Sequence, residues 1–179
     1  MSERPSAEPS ADATYRRRRR FVRESVLQAL YQMDVSGEWD PRALDFEHFW
    51  TQLAADAETP SPYRDDPGLR REAEELAGGV VAQREAIDAR LAACAQNWSL
   101  PRMAAVDRNI LRLAAYEMLF RPDVPPVAAL NEAIEMARAF GDVNSTRFVN
   151  GILDRILREH PTTPAAGAAS KEGEGDPAP

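Results

Sequence analysis

Apolar residues recur every three or four positions along most of this chain, the spacing that places them on one face of an α-helix. The first such segment starts in an arginine run at residue 16 and ends near Gly37. Its predicted buried stripe consists of Val22, Val26, Ala29, Leu30 and Met33. No segment shows the alternation of apolar and polar residues that is typical of a strand. The pattern therefore predicts an all-α fold.

Prolines, glycines and helix-capping residues divide the remainder of the chain into further helices. These predicted helices lie at about 41–57, 68–95, 101–120, 127–140 and 145–156. The segment 101–120 is apolar on two faces, which predicts that it is the central and most buried helix. Gly78-Gly79 is a candidate kink in the segment 68–95. With that kink, the fold is expected to contain six to seven helices.

The two ends of the chain differ in composition from its middle. Residues 1–15 are rich in Ser, Pro, Ala and Glu, and residues 161–179 are rich in Ala, Gly, Pro and Glu. Segments of this kind bury little apolar surface, so both are predicted to be disordered tails. Residues 16–160 are predicted to form one helical domain. The chain has no apolar run long enough for a membrane span, no secretory signal and a single cysteine, which together favour the cytoplasm.

Positive charge is concentrated at one place in an otherwise acidic chain. Residues 16–23 carry six arginines and no acid, whereas the whole chain has a net charge of −7. At about 100° per residue, Arg16, Arg19, Arg20 and Arg23 share one arc of the first helix, and Tyr31 continues that ridge. Guanidinium groups bind phosphates, and a tyrosine can stack on an unpaired base. The face is therefore a candidate site for single-stranded RNA.

Other interpretations of the arginine run remain open. The chain uses 21 arginines and one lysine, so any arginine cluster is favoured by composition. A run near a terminus also fits a solubilising tail or a docking signal. The run alone does not distinguish RNA from DNA.

Residues that could support catalysis are few. The histidines are His48 and His160, and the cysteine is Cys94. They are too far apart in sequence for a zinc motif, and His48 is predicted to be a half-exposed helix residue rather than part of a catalytic triad. No glycine-rich phosphate loop follows a strand. The chain is therefore predicted not to be an enzyme.

Two stretches carry recognisable motifs. Residues 19–31 read RRFVRESVLQALY, and residues 106–156 contain LRLAAYE, DVP, NEAIEMARAFG and STRFVNGILD in that order. In both stretches the chain resembles the NusB family of transcription antitermination factors. The resemblance implies an all-helical fold of two packed helical bundles and no cofactor. It also implies binding to single-stranded boxA-type RNA of ribosomal RNA leaders, together with the ribosomal protein NusE, in the RNA polymerase antitermination complex.

The resemblance also implies roles for individual residues. Contacts with RNA are implied for Arg19, Arg20, Arg23, Gln28, Tyr31, Arg112, Asn144, Arg147 and Phe148. Contacts with the ribosomal protein are implied for Asp107 and Glu117, which belong to the central helix. Phe148 also fits the apolar stripe of the last helix, and Asn144 also fits its N-cap, so burial and capping remain open for these two.

Two alternative functions remain. The same helical domain is similar to the N-terminal module of ribosomal-RNA cytosine methyltransferases, which continue into a large cofactor-binding domain. The chain could also be an adaptor that binds a protein through its helical grooves and uses its arginines only for solubility. RNA affinity that falls steeply with salt discriminates between the RNA-binding and the adaptor hypotheses, because phosphate neutralisation releases counterions.

Overall fold

Eight α-helices and one short 3₁₀ turn form the parts of the chain that the computed structural model describes, residues 10–40, 45–55 and 61–159. The helices are α1 (Ala11–Ser36), α2 (Phe46–Ala55), α3 (Ser61–Arg64), α4 (Pro67–Ala82), α5 (Arg84–Cys94), α6 (Ala105–Phe120), α7 (Pro126–Phe140) and α8 (Ser145–Glu159). The 3₁₀ turn is Leu100–Arg102. These ranges contain no strand, which confirms the all-α class.

The central helix is α6, as its two apolar faces predict. It packs against α1 and α4 on one side and against α5, α7 and α8 on the other, so two helical groups share it. Ten of its sixteen residues are buried, among them Ile110, Leu111 and Leu113 without exposed surface. Four of the ten are polar or charged: Asp107, Asn109, Arg112 and Glu117. Because buried polar groups require partners, this helix also organises the polar interior.

The first helix begins earlier than the arginine run. Ser10 caps α1 by accepting a hydrogen bond from the Ala13 amide at 3.3 Å, and the helix ends at Gly37 in the left-handed conformation, φ 74°. Residues 11–15, which the sequence assigned to a tail, are therefore helical. Residues 1–9 of that predicted tail and the predicted tail 161–179 lie outside the described residues.

The predicted helix 68–95 is two helices, but the glycine pair is not where it breaks. The chain changes direction at Gln83, and Gly78 and Gly79 lie inside the regular helix α4. Gly79 faces Tyr116 of α6 so closely that a Cβ atom there would overlap the tyrosine hydroxyl. The glycine therefore allows the close approach of two helices. A break in this segment was included in the upper prediction of seven helices, so the eighth helix of the structure is the short α3 in the proline-rich linker.

Candidate nucleic-acid interface

The arginine run lies on the N-terminal half of α1, where most of its side chains already contact carboxylates. Ion pairs join Arg16 to Asp12, Arg18 to Asp66, Arg19 to Glu72 and Arg20 to Glu24. The hydrogen bond from Arg20 Nε to Glu24 Oε1, 2.8 Å long, raises the pKa of the Arg20 guanidinium. The pairs of Arg16 and Arg20 are exposed and that of Arg19 with Glu72 is half-exposed. Ion pairs in contact with solvent contribute about 0–1 kcal/mol, so a phosphate group can replace the carboxylate at little cost.

Arg23 follows on the same helix but is buried, with 5% of its surface exposed. Its Nε donates to Glu117 Oε2 at 3.0 Å, and its Nη2 lies 3.0 Å from Glu117 Oε1. Glu132 adds a third carboxylate oxygen at 3.8 Å from Nη1. This burial does not fit a direct phosphate contact for Arg23 or a surface contact with a partner protein for Glu117. The two residues join α1 to α6 in the interior.

Gln28 and Tyr31 lie on the exposed face of α1, as the QALY resemblance implies. They line a cleft of about 550 Å³ between α1, α2, the start of α6 and the end of α7. The other walls are mostly apolar and include Leu27, Phe49, Leu53, Val106 and Phe140. Tyr31 is 42% exposed, so its ring is accessible at the mouth of this cleft.

Arg112 is part of a polar network in the interior. Its Nε and Nη2 donate to the two carboxylate oxygens of Asp88 at 2.8 and 3.0 Å, and its Nη1 donates to Asn109 at 3.0 Å and lies 3.2 Å from Asp34. Its guanidinium also lies 4.8 Å from the ring centre of Trp39. With every donor group engaged and only 4% of the residue exposed, Arg112 joins α5 and α6 to the end of α1. This position does not fit the implied direct contact with RNA.

The remaining implied RNA contacts surround the start of α8. Asn144 and Arg147 are exposed, whereas Phe148 is half-buried and its ring meets Trp98 edge-to-face at 5.6 Å. Neither Asn144 nor Ser145 supplies the main helix cap. That role belongs to Asp142, whose Oδ1 accepts from the Asn144 amide at 2.7 Å and from the Ser145 amide at 3.1 Å. The Asn144 side chain is therefore not needed as a cap.

Asp107 lies in the first turn of α6 and is 6% exposed. Its Oδ1 has no hydrogen-bond partner, and burial raises the pKa of this carboxyl group, with nearby Asp142 adding to the increase while Ser145 opposes it. The carboxylate faces a cleft of about 290 Å³ that Trp98, Arg102 and Phe148 also line. A partner must therefore insert a group into this cleft to reach Asp107.

Trp98 and Arg102 are surface residues that the sequence analysis did not assign. Trp98 is 57% exposed and lies in the connection between α5 and the 3₁₀ turn that contains Arg102. The available signal was an aromatic residue inside a short polar, proline-containing segment, where no helical stripe requires it. Exposed aromatic rings next to arginines are typical of surfaces that bind unpaired nucleotides.

The described residues offer little for catalysis. His48 is exposed, and its Nε2 lies 2.8 Å from the side-chain amide of Gln52. Burial raises the pKa of the Cys94 thiol, which disfavours the reactive thiolate. Within residues 10–40, 45–55 and 61–159, no three His, Cys, Asp or Glu side chains are grouped to hold a metal ion.

The fold defines an all-α class of protein in which two helical groups share a central helix and the first helix carries a row of arginines. The sequence model of the NusB family matches residues 20–158. The chain belongs to the NusB family, which confirms the resemblance seen in its motifs.

Curated relatives are similar over most of their length. The transcription antitermination protein NusB of Desulfitobacterium hafniense (strain DSM 10664 / DCB-2) is 43% identical over 139 residues, which are 78% of this chain and 87% of the relative. The protein of the same name from Geotalea uraniireducens (strain Rf4) is 46% identical over 142 residues, 77% of this chain and 92% of the relative.

Solved structures share the fold. T. maritima NusB has 37% sequence identity and a TM-score of 0.64, covering 79% of this chain and 92% of that one. A structure of antitermination factors NusB and NusE in complex with dsRNA matches with a TM-score of 0.64 at 23% identity, covering 80% of this chain and 98% of that one. None of the helices in the described ranges combines the length and apolar character that crossing a membrane requires.

Proposed function

We propose that this protein is a transcription antitermination factor that binds single-stranded boxA-type RNA of ribosomal RNA leaders together with the ribosomal protein NusE. In this role it helps RNA polymerase resist termination, acts in the cytoplasm, and uses no cofactor and catalyses no reaction. The names of its curated relatives support the role in transcription. The exposed face of α1, on which arginines precede Gln28 and Tyr31, carries the proposal for RNA.

Arg19 and Arg20 bind phosphates by exchanging their carboxylate partners. Glu72 and Glu24 hold these guanidinium groups in place before RNA arrives. A phosphodiester, like a carboxylate, presents two oxygens that share one negative charge, so the exchange retains the multidentate contact. Tyr31 and Gln28 then meet the next nucleotides at the edge of the apolar cleft.

The buried arginines support this surface from below. Arg23 holds α1 against α6 through Glu117, and Arg112 fixes the end of α1 through Asp34. Their contribution to RNA binding is to keep the exposed face of α1 in one position relative to the start of α8. Asn144, Arg147 and Phe148 extend the binding surface there.

Fluorescence anisotropy with a short labelled single-stranded RNA tests the proposal at two salt concentrations, with and without NusE. We expect weak binding by the protein alone, tighter binding with NusE, and affinity that falls with salt. The variant R19A/R20A should weaken binding and reduce the salt dependence by about two charges, with unchanged helix content in circular dichroism. R158A, which removes an exposed arginine at the far end of α8, is the matched control. If no RNA binds under any of these conditions, the adaptor hypothesis replaces this one.

A further inference from the structure

Trp98 is a large aromatic side chain that the protein leaves at its surface. Of the three tryptophans, Trp50 is 3% exposed and donates a hydrogen bond to Glu74, and Trp39 lies between two arginine guanidinium groups. Trp98 is 57% exposed and is held by its edge-to-face contact with Phe148. It lines two clefts of about 380 and 290 Å³. The ring is therefore both positioned and accessible.

Arg102 and Arg147, the arginines next to Trp98, have no side-chain partner among the described residues. Arg102 lines the cleft of about 290 Å³ with Trp98 and Asp107, and Arg147 lines the cleft of about 380 Å³ with Trp98. Both side chains are exposed, and neither makes a hydrogen bond or an ion pair in the described part of the chain. This differs from the arginine run on α1, most of which is paired with carboxylates. Two arginines that share clefts with an exposed aromatic ring are complementary to the phosphates of a nucleotide strand.

The floor of the smaller cleft presents a hydrogen-bond acceptor. Asp107 Oδ1 is buried and lacks a partner, although the group borders the cleft that Trp98 lines. A buried acceptor without a partner is unusual, because it loses its hydration without compensation. An amino or imino N–H on the edge of a nucleobase would satisfy it.

We propose that Trp98 is a stacking platform for one unpaired RNA base, with Arg102 and Arg147 binding the adjacent phosphates and Asp107 accepting a hydrogen bond from the amino or imino group of that base. This proposal rests on the proposed function and deepens it. It extends the RNA-binding surface from α1 across the start of α8 to the connection after α5.

The test uses the full-length protein and the same labelled single-stranded RNA. W98A should weaken binding by about tenfold, because stacking of one base contributes about 1–3 kcal/mol. W98F, which retains an aromatic ring, should restore most of the affinity. R102Q/R147Q should weaken binding and lower the salt dependence. R71Q is the matched control, because Arg71 is exposed and unpaired among the described residues but lies on α4, which contributes nothing to these clefts.

Tryptophan emission supplies an independent readout. RNA should quench the tryptophan fluorescence of the wild-type protein. This quenching should be lost in W98F, which retains Trp39 and Trp50. Thermal unfolding of each variant verifies that the fold is retained.

The outcomes separate this inference from the proposed function. If wild-type protein binds RNA and W98A and R102Q/R147Q bind equally well, the platform is wrong and the proposed function stands. If these variants bind RNA normally but lose NusE, the surface belongs to the protein partner and the inference is overturned. If wild-type protein binds no RNA even at low salt and with NusE, both proposals fail.

Discussion

Arginines on the same helix play opposite roles in this protein. Arg20 is exposed and paired with Glu24 one turn away, whereas Arg23 is buried and paired with Glu117 on another helix. The exposed pair forms in a screened environment and exchanges its partner readily. The buried pair is shielded from water, and either charge without the other would be strongly unfavourable. The function of an arginine on this helix is therefore set by its burial and its ion-pair partner. Residue type and helix position alone do not define it.

The largest effect is expected from breaking the buried pair. E117A leaves the Arg23 guanidinium buried with Glu132 as its nearest carboxylate, so the free energy of unfolding should fall by about 3–5 kcal/mol. Chemical denaturation with circular dichroism measures this change. R23M/E117M, which removes both charges, should lose much less stability than E117A. Equal losses in the two variants would show that side-chain packing and not the ion pair stabilises this contact.

A smaller effect of different kind is expected from the exposed pairs. E72Q removes the carboxylate that competes with phosphate for Arg19. RNA affinity should therefore rise by up to about fivefold, which corresponds to the upper end of the 0–1 kcal/mol of a solvent-accessible ion pair. Stability should change by less than about 0.5 kcal/mol. Anisotropy and thermal unfolding check both statements. As a comparison, E75Q alters an exposed acid on the same helix for which the described residues show no ion pair, and it should leave affinity nearly unchanged. A decrease in affinity in E72Q would mean that Glu72 positions Arg19 more than it competes for it.

The smallest effect on stability is expected for Asp123, a surface acid that accepts two hydrogen bonds from Arg121. The hydrogen bonds from Arg121 lower the pKa of Asp123 from 3.8 to about 2. Because the folded pKa is depressed, the stabilisation is present above the unfolded value and is lost as the pH falls through about 2. The group is exposed, so solvent screening limits the contribution to less than about 1 kcal/mol. Acid unfolding of wild type and D123N should show a small difference at pH 5 that vanishes near pH 2. If the stability difference persists at the lowest pH, it arises from the conformation of the turn at Asp123 and not from the charge of its carboxylate.

Much of the fold could be predicted from the sequence because helix periodicity is a local property. The two apolar faces of α6 indicated its central position, and Gly37 and Gly141 marked helix ends. The break at Gln83 carried no such signal, since neither a proline nor a glycine stands there. Of the glycine pair that suggested a kink, Gly79 is instead explained by Tyr116, a residue distant in sequence, whereas a Cβ atom at Gly78 would meet nothing within 4 Å.

The candidate site was less predictable because its chemistry depends on long-range contacts. The motifs located the arginines correctly on α1, but Arg23 finds its partner 94 residues away. Likewise, Arg112 looked like a surface contact until Asp88 and Asp34 were seen to surround it. Trp98 was missed because its signal, an aromatic residue in a short polar segment outside any helical stripe, does not by itself show that the ring is exposed. Periodicity distinguishes the buried side of a helix from its exposed side. It does not show which buried polar groups on different helices pair with each other.

The cap at Ser10 gives α1 more than a full turn before its first paired arginine. A basic segment at a frayed terminus would have to fold as it met its ligand, and ordering each residue would cost about 1–2 kcal/mol. Here the backbone of α1 is already helical before the ligand binds, so its basic side chains project at fixed intervals along the helix. Recognition can then depend on the spacing between successive anionic groups of the ligand, because the helix cannot change the spacing of its own arginine side chains.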